Sequence, residues 1–154
     1  MFNSDNIQDT ENHFKIDSFT RKILNDFPGN NILVQYDHNS ERFTFDMPRY
    51  VDGHDMSKVT EVRIHYCNTS TTNQLKSKGI YVPTDLEVVE GDENIITFSW
   101  LISSANTRYV GALHFSIQFV CLSESSAIEY SWNTGVYKDV VIIETINNAD
   151  SFDV

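Results

Sequence analysis

The chain has few of the residues that staple, bend or positively charge a protein. Its 154 residues include only 2 Cys, 3 Pro and 6 Gly, and 11 Lys and Arg stand against 22 Asp and Glu. Two cysteines cannot supply the disulfide framework of a small secreted scaffold. In "VTEVRIHYC", Cys67 falls on the face of Glu61, Arg63 and His65. In "LHFSIQFVC", Cys121 shares the face of Leu113, Phe115, Ile117 and Phe119. One thiol faces the core side and the other does not, so both are expected to be free. Six glycines form no glycine-rich cradle for phosphate. The shortage of cations leaves a formal net charge of -11, which repels phosphate backbones and anionic lipid heads. Neither nucleic acid nor a membrane is therefore expected as a partner. No apolar run reaches the ~18 residues of a membrane span. The N-terminus "MFNSDNIQDTENHFKIDSF" lacks the basic and apolar regions of a secretory signal, so synthesis and retention in the cytoplasm are expected.

What is present points to strands. Hydrophobic residues make up 40% of the chain and aromatics 12%, led by Phe and Tyr. A single domain of this length buries roughly 70% of the surface its unfolded chain exposes. Flat and β-branched side chains suit half-buried sheet faces. "NILVQY" is a short apolar run, and "DHNSE" has hairpin-turn chemistry before the alternating "RFTFDM". "VTEVRIHY", "IITFSW", "GALHFSIQFVCL", "AIEYSW" and "GVYKDVVIIET" read as further strands. Pro83 breaks "IYVPTDLEVV" into an edge strand or two short ones, and "NTSTTNQLKSKG" reads as a polar loop. "SFTRKILNDF" fits either a helix through Phe19, Ile23 and Phe27 or a short strand. The expected fold is an all-β antiparallel sandwich, Ig-like or jelly-roll-like, of about eight strands over residues 19–148. Residues 1–18 read as an N-terminal arm and 149–154 as an acidic C-terminal tail.

The candidate chemistry is thin. His38 and His54 lie at the two ends of a proposed strand, too far apart to share a metal. Asp37, Asn39 and Glu41 alternate as in a calcium loop, without its turn glycine or distal glutamate. In "DGHD", carboxylates flank His54, but no nucleophile elbow or metalloprotease helix accompanies it. His65 and His114 fall on polar strand faces. Tyr50, Tyr81, Tyr109, Trp132 and Tyr137 lie near strand ends, where rings serve sugar-binding modules and protein interfaces as well as cores. No catalytic residue, metal ligand or cofactor site is assigned, and the chain is not expected to be an enzyme.

Several segments carry a resemblance: "TRKI", "HNSERFTFDMPRYVDGHDMS", "VRIHYCN", "IITFSWLISSANTRYVGALHFSIQF" and "YSWNTGVYKDVVI". Together they resemble small structural proteins of tailed phages and prophages of Gram-positive bacteria, in particular the N-terminal domains of upper-baseplate or tail-fibre-adaptor proteins. The resemblance spans about residues 19–147 and implies a β-sandwich that docks on the virion. It implies a non-enzymatic homo-oligomer on tail or baseplate, with other phage structural proteins as partners. A capsid decoration protein or head-fibre base, and a carbohydrate-binding module for a host glycan, are the alternatives. Phe2, Ile7, Phe14 and Ile16 in the arm, with Tyr50 and Tyr109, are the expected interface residues. On this reading the sandwich folds without residues 1–15.

Overall fold

The computed structural model describes residues 12–25, 31–72 and 74–146. The described residues form thirteen strands and one 3₁₀ turn; eleven of the strands build two packed sheets, so the chain is an all-β sandwich. The first sheet has the order β2-β1-β4-β10-β9, from Ile23–Asn25, Asn12–Ile16, Arg42–Pro48, Asp92–Leu101 and Glu87–Val89. The second runs β3-β13-β11-β7-β8, from Ile32–Val34, Tyr137–Ile143, Gly111–Leu122, Glu61–Thr69 and Leu75–Tyr81. β12 (Ile128–Asn133) pairs with the C-terminal part of β11, on the edge that β13 uses further up. A small hairpin, β5 (Tyr50–Val51) and β6 (His54–Asp55), stands apart from both sheets. Among the described residues no helix is long and apolar enough to cross a membrane.

Alternation explains the core. β4 places Phe43, Phe45 and Met47 inward, and β10 adds Ile96, Phe98 and Trp100 in matching register. From the facing sheet come Leu113, Phe115, Ile117 and Phe119 of β11 with Val62 and Ile64 of β7. The rings meet across the interior. Trp100 lies 5.4 Å from Phe115, edge to face, and Phe98 lies 5.7 Å from Phe119. Such offset aromatic pairs each contribute about 0.5–1.5 kcal/mol beyond the area they bury.

These contacts also fix the direction of one sheet on the other. Along β10 from Phe98 to Trp100, the partner on β11 moves back from Phe119 to Phe115, so the two strands run in opposite senses. β8 and β9 consequently run the same way, as one edge that changes sheets at the buried Pro83. Before β9 reaches it, β10 is capped by a side chain: Asp85 accepts the Ser99 amide at 2.9 Å and also the Ser99 hydroxyl. The interrupted strand expected at Pro83 is present in this form.

Several expectations are corrected. Among the described residues there are thirteen strands rather than about eight, and two pairs are parallel, β1 with β4 and β3 with β13. β8 starts at Leu75, inside the segment read as a polar loop, because an edge strand has little need of apolar residues. β3 and β4 lie in different sheets, so "DHNSE" joins the sheets and is no hairpin turn. The arm is too long as drawn. Its second half forms β1, an internal strand between β2 and β4, and Phe14 and Ile16 are core residues. The acidic tail at 149–154 lies outside the described residues.

Candidate functional site

Strand directions give the molecule two poles. Asn12, at the start of β1, and Ile143, at the end of β13, lie toward the pole that holds the loops at 35–41 and 102–110. That pole is tied internally. Asn68 donates to the Asn106 carbonyl at 2.7 Å, Thr107 donates to the Asp37 carbonyl at 2.8 Å, and Ser104 donates its amide to His38 Nδ1 at 2.9 Å.

The opposite pole carries two hairpins side by side. The first is the β1–β2 turn. Asp17 Oδ1 accepts the amides of Phe19 at 2.8 Å and Thr20 at 3.2 Å, and the backbone closes from Arg21 to Asp17. Those two amides hold the Asp17 carboxyl below its ordinary range. Arg21 takes a left-handed φ of 63°, stacks its guanidinium 4.9 Å from the Trp132 ring and donates to the Asn133 carbonyl. The result is a braced turn with Phe19 at its tip, 96% exposed.

The second hairpin is β5–β6, the "RYVDGHD" segment. Asp52 and Gly53 have φ of 50° and 82°, the two left-handed positions of a type I′ turn, which Asp-Gly favours. Arg49 grips Asp55 through two parallel bonds of 3.1 Å, and Asp55 also accepts from the Ser57 amide and hydroxyl. Hydrogen bonds from Arg49 and then Ser57 hold the Asp55 carboxyl far below its usual value. His54 stacks on Tyr130 of β12 at 4.1 Å, and Val51 and Met56 anchor the hairpin in the core. Of the groups that made this stretch look catalytic, His54 and Asp55 are committed to structural contacts, while Asp52 stands at the turn. Its two-residue turn was not expected from the sequence; the Asp-Gly pair between short strands was the missed signal.

Between the hairpins lies a cleft of about 280 Å³ lined by Ser18, Phe19, Arg21, Tyr50, Val51 and Asp52. Tyr50 is half exposed, with the Arg49 guanidinium 5.1 Å from its ring. Two aromatic surfaces thus flank a cleft that also offers a cation, a carboxylate and a hydroxyl. Phe19 was not singled out from sequence as a contact residue. The signal was an Asp two residues before it, whose side chain closes a tight turn and forces the next side chains outward.

The remaining candidates scatter. Phe2 and Ile7 lie outside the described residues. Phe14 and Ile16, expected at an interface, are buried, because β1 pairs on both edges and its inward face meets Phe45, Phe115 and Tyr137. Tyr109 is half buried and follows the 102–107 loop at the other pole, so it shares no surface with Tyr50. Trp132 and Tyr137 belong to the core, and Tyr81 packs 6.2 Å from Trp100. His38 and His54 stand at opposite poles. His65 hydrogen-bonds Gln118 at 2.8 Å, while His114 faces Cys67 across the β11–β7 pair. Burial, and then the nearby Lys138 charge, push the His114 pKa down. Cys67 and Cys121 are both free thiols. Among the described residues no group of three or more His, Cys, Asp or Glu could hold a metal ion.

No protein-family model matches this chain, and no curated protein matches it.

Proposed function

We propose that the chain is a non-enzymatic structural protein of a tailed-phage virion, docking on tail, baseplate or capsid through protein–protein interfaces. The observation that carries docking is Phe19: a large apolar ring, 96% exposed, on a turn braced by Asp17 and Arg21. A fully exposed phenylalanine does nothing for the isolated fold. Burying it in a partner's pocket gains roughly 25 cal/mol per Å² with little ordering cost, because the turn is already set. Tyr50 beside it supplies the second ring of such an anchor, and Arg and Tyr are the residues interfaces favour. The phage setting rests on the sequence resemblance alone.

The test is incorporation. Particles purified from the source lysate should contain the protein at fixed stoichiometry by mass spectrometry. A Phe19→Ala/Tyr50→Ala variant should stay folded and be missing from the particles. Absence of the natural protein from every particle fraction would sink the virion reading.

A second reading, binding of a host glycan, draws on the same cleft. Two rings with Arg21 and Asp52 between them match what a pyranose needs: a flat apolar surface and hydrogen-bonding groups at its edge. Retention on immobilised glycans that vanishes in Asp52→Ala while particle incorporation persists would favour it.

A further inference from the structure

The two outer faces of the sandwich differ. On the first sheet, β4 turns Arg42, Thr44 and Asp46 outward, an ordinary solvated surface. The second sheet carries apolar side chains at both margins of its outer face. Along β8 stand Leu75, Lys78 and Ile80, the two apolar ones more than half exposed. On the opposite side stand Asp139 and Val141 of β13, with Val136 just before that strand; both valines are about half exposed. The register lines up the two margins in three rows. Leu75 is level with Val141 through Thr69 and Ala112. Lys78 is level, through Cys67 and His114, with the bulge that holds Lys138 and Asp139. Ile80 is level with Val136 through His65 and Ser116. Between the margins lies a trough of about 560 Å³.

We infer that this face packs against the same face of a second copy, as a two-fold dimer. The axis lies between the stacked sheets, along the strands and midway between β7 and β11. Such a rotation sets β8 of one copy over β13 of the other and leaves each row at its own level. Ile80 then meets Val136, Leu75 meets Val141 and Lys78 meets Asp139, and each contact occurs twice. The match of margin to margin, row by row, is what a two-fold requires, and it singles out a second copy as the occupant. Charge agrees. Among the described residues of these rows Asp139 is the only carboxylate, against Lys78 and Lys138. Copies of a chain with net charge -11 repel one another, and on this face that repulsion is locally removed. Lys138, beside Asp139 in the bulge, tempers the attraction for Lys78. Five strands about 4.8 Å apart and three rows about 7 Å apart span roughly 24 by 20 Å, so the pair buries on the order of 1,000 Å². That is the lower end for a specific interface, so the dimer is weak and reversible, with a Kd on the order of 10 μM.

Sedimentation equilibrium of the full chain from about 1 to 300 μM should show one reversible monomer–dimer equilibrium. Ile80→Glu sets a charge against Val136 of the other copy and should remove the dimer over that whole range. Lys78→Glu and Asp139→Lys should each weaken self-association by about tenfold, because each brings like charges together twice per dimer. Mixed in equal amounts, these two variants should pair with each other about as tightly as the natural chain pairs with itself. In the mixed dimer the two substituted side chains attract, and so do the natural Lys78 and Asp139. All three positions are exposed, so urea melts of the variants at low concentration should match the natural chain. A natural chain that stays monomeric at the highest concentration overturns the inference. A dimer that survives Ile80→Glu, or a mixture no tighter than its components, places the contact elsewhere and overturns it too. Growth beyond dimers overturns the two-fold form. The Phe19→Ala/Tyr50→Ala variant should dimerise normally, and particle incorporation is read separately, so this inference and the docking proposal can fail independently.

Discussion

Phe14 and Phe19 belong to the same hairpin and have opposite fates. Phe14 is fully buried, and its ring touches Phe43, Phe45, Phe115 and Tyr137, so it joins both sheets. Phe19 touches solvent over nearly its whole surface. Residue type does not separate them. The strand period does so for Phe14, whose inward position is set by β4 on one edge and β2 on the other. The Asp17 turn does so for Phe19, since it spends its backbone bonds locally and leaves the side chain outside. Stability is concentrated in one ring and, on the function proposed above, recognition in the other, and the substitutions below are ordered by how hard each presses on that division.

The largest effect should come from Phe14. Phe14→Ala removes a ring from a closed aromatic cluster and should cost about 3–5 kcal/mol, read as a fall in the urea midpoint at constant slope. Deleting residues 1–16 should be worse, because β4 and β2 would lose a shared neighbour and a row of backbone hydrogen bonds. A truncated chain with an unchanged melt would show that β1 is dispensable and would restore the reading of this segment as an arm.

Thr134 comes next. It lies between β12 and β13, and its hydroxyl accepts the Ile117 amide at 2.9 Å while its own amide donates back to the Ile117 carbonyl. Thr134→Val keeps the shape but strands a buried amide on the longest strand, at a cost of about 1–3 kcal/mol. Gly135 next to it donates to the Arg21 carbonyl, so the Phe19 turn should loosen as well. Faster amide exchange at Phe19 and Thr20 in Thr134→Val would check that link.

How much of this was legible in the sequence follows from what each segment's side chains had to do. Strands β4, β7, β10 and β11 alternate because one face of each meets the core, so their presence was readable; the bounds of β11 were too, while β7 runs on to Thr69 and β10 starts already at Asp92, where the side chains no longer alternate. β1 was hidden because "NHFKI" shows only two apolar residues and follows a polar run; its pairing on both edges is a property of the sheet, not of the pentapeptide. β8 was hidden for the converse reason, since an edge strand with Lys76 and Lys78 looks like a loop. The cleft was half legible. Tyr50 was singled out as a ring near a strand end, but Trp132 and Tyr137 passed the same filter and are core residues. Which loop rings face solvent depends on how hairpins from distant parts of the chain meet.

A smaller effect concerns pH. Burial favours the neutral imidazole of His114, so its folded pKa lies below the ordinary 6.5. Between those two values the unfolded chain binds the extra proton, and stability rises with pH. The contribution is therefore complete above pH 6.5 and is lost as the pH falls through the folded value. The urea midpoint should drop modestly from pH 7 to pH 5, and His114→Gln should flatten that slope. A slope unchanged in His114→Gln would place the titrating group elsewhere.

The smallest effect on the fold should come from Phe19, and that is what makes it diagnostic. Phe19→Ala removes no buried surface, so the melt should stay within about 0.5 kcal/mol of the natural protein. Partner affinity should fall by 2 kcal/mol or more, roughly thirtyfold, as expected for a central anchor. Asp17→Ala separates the ring from its placement. It keeps the phenyl group but removes the acceptor for the Phe19 and Thr20 amides, so the turn samples more conformations and binding weakens through lost preorganisation. If Phe19→Ala lowered the melt as far as Phe14→Ala, the two rings would serve the same purpose and the pole would be part of the core. If Phe19→Ala bound as well as the natural chain while Tyr50→Ala did not, the anchor would be the β5–β6 hairpin alone, and the exposed phenylalanine would carry no recognition.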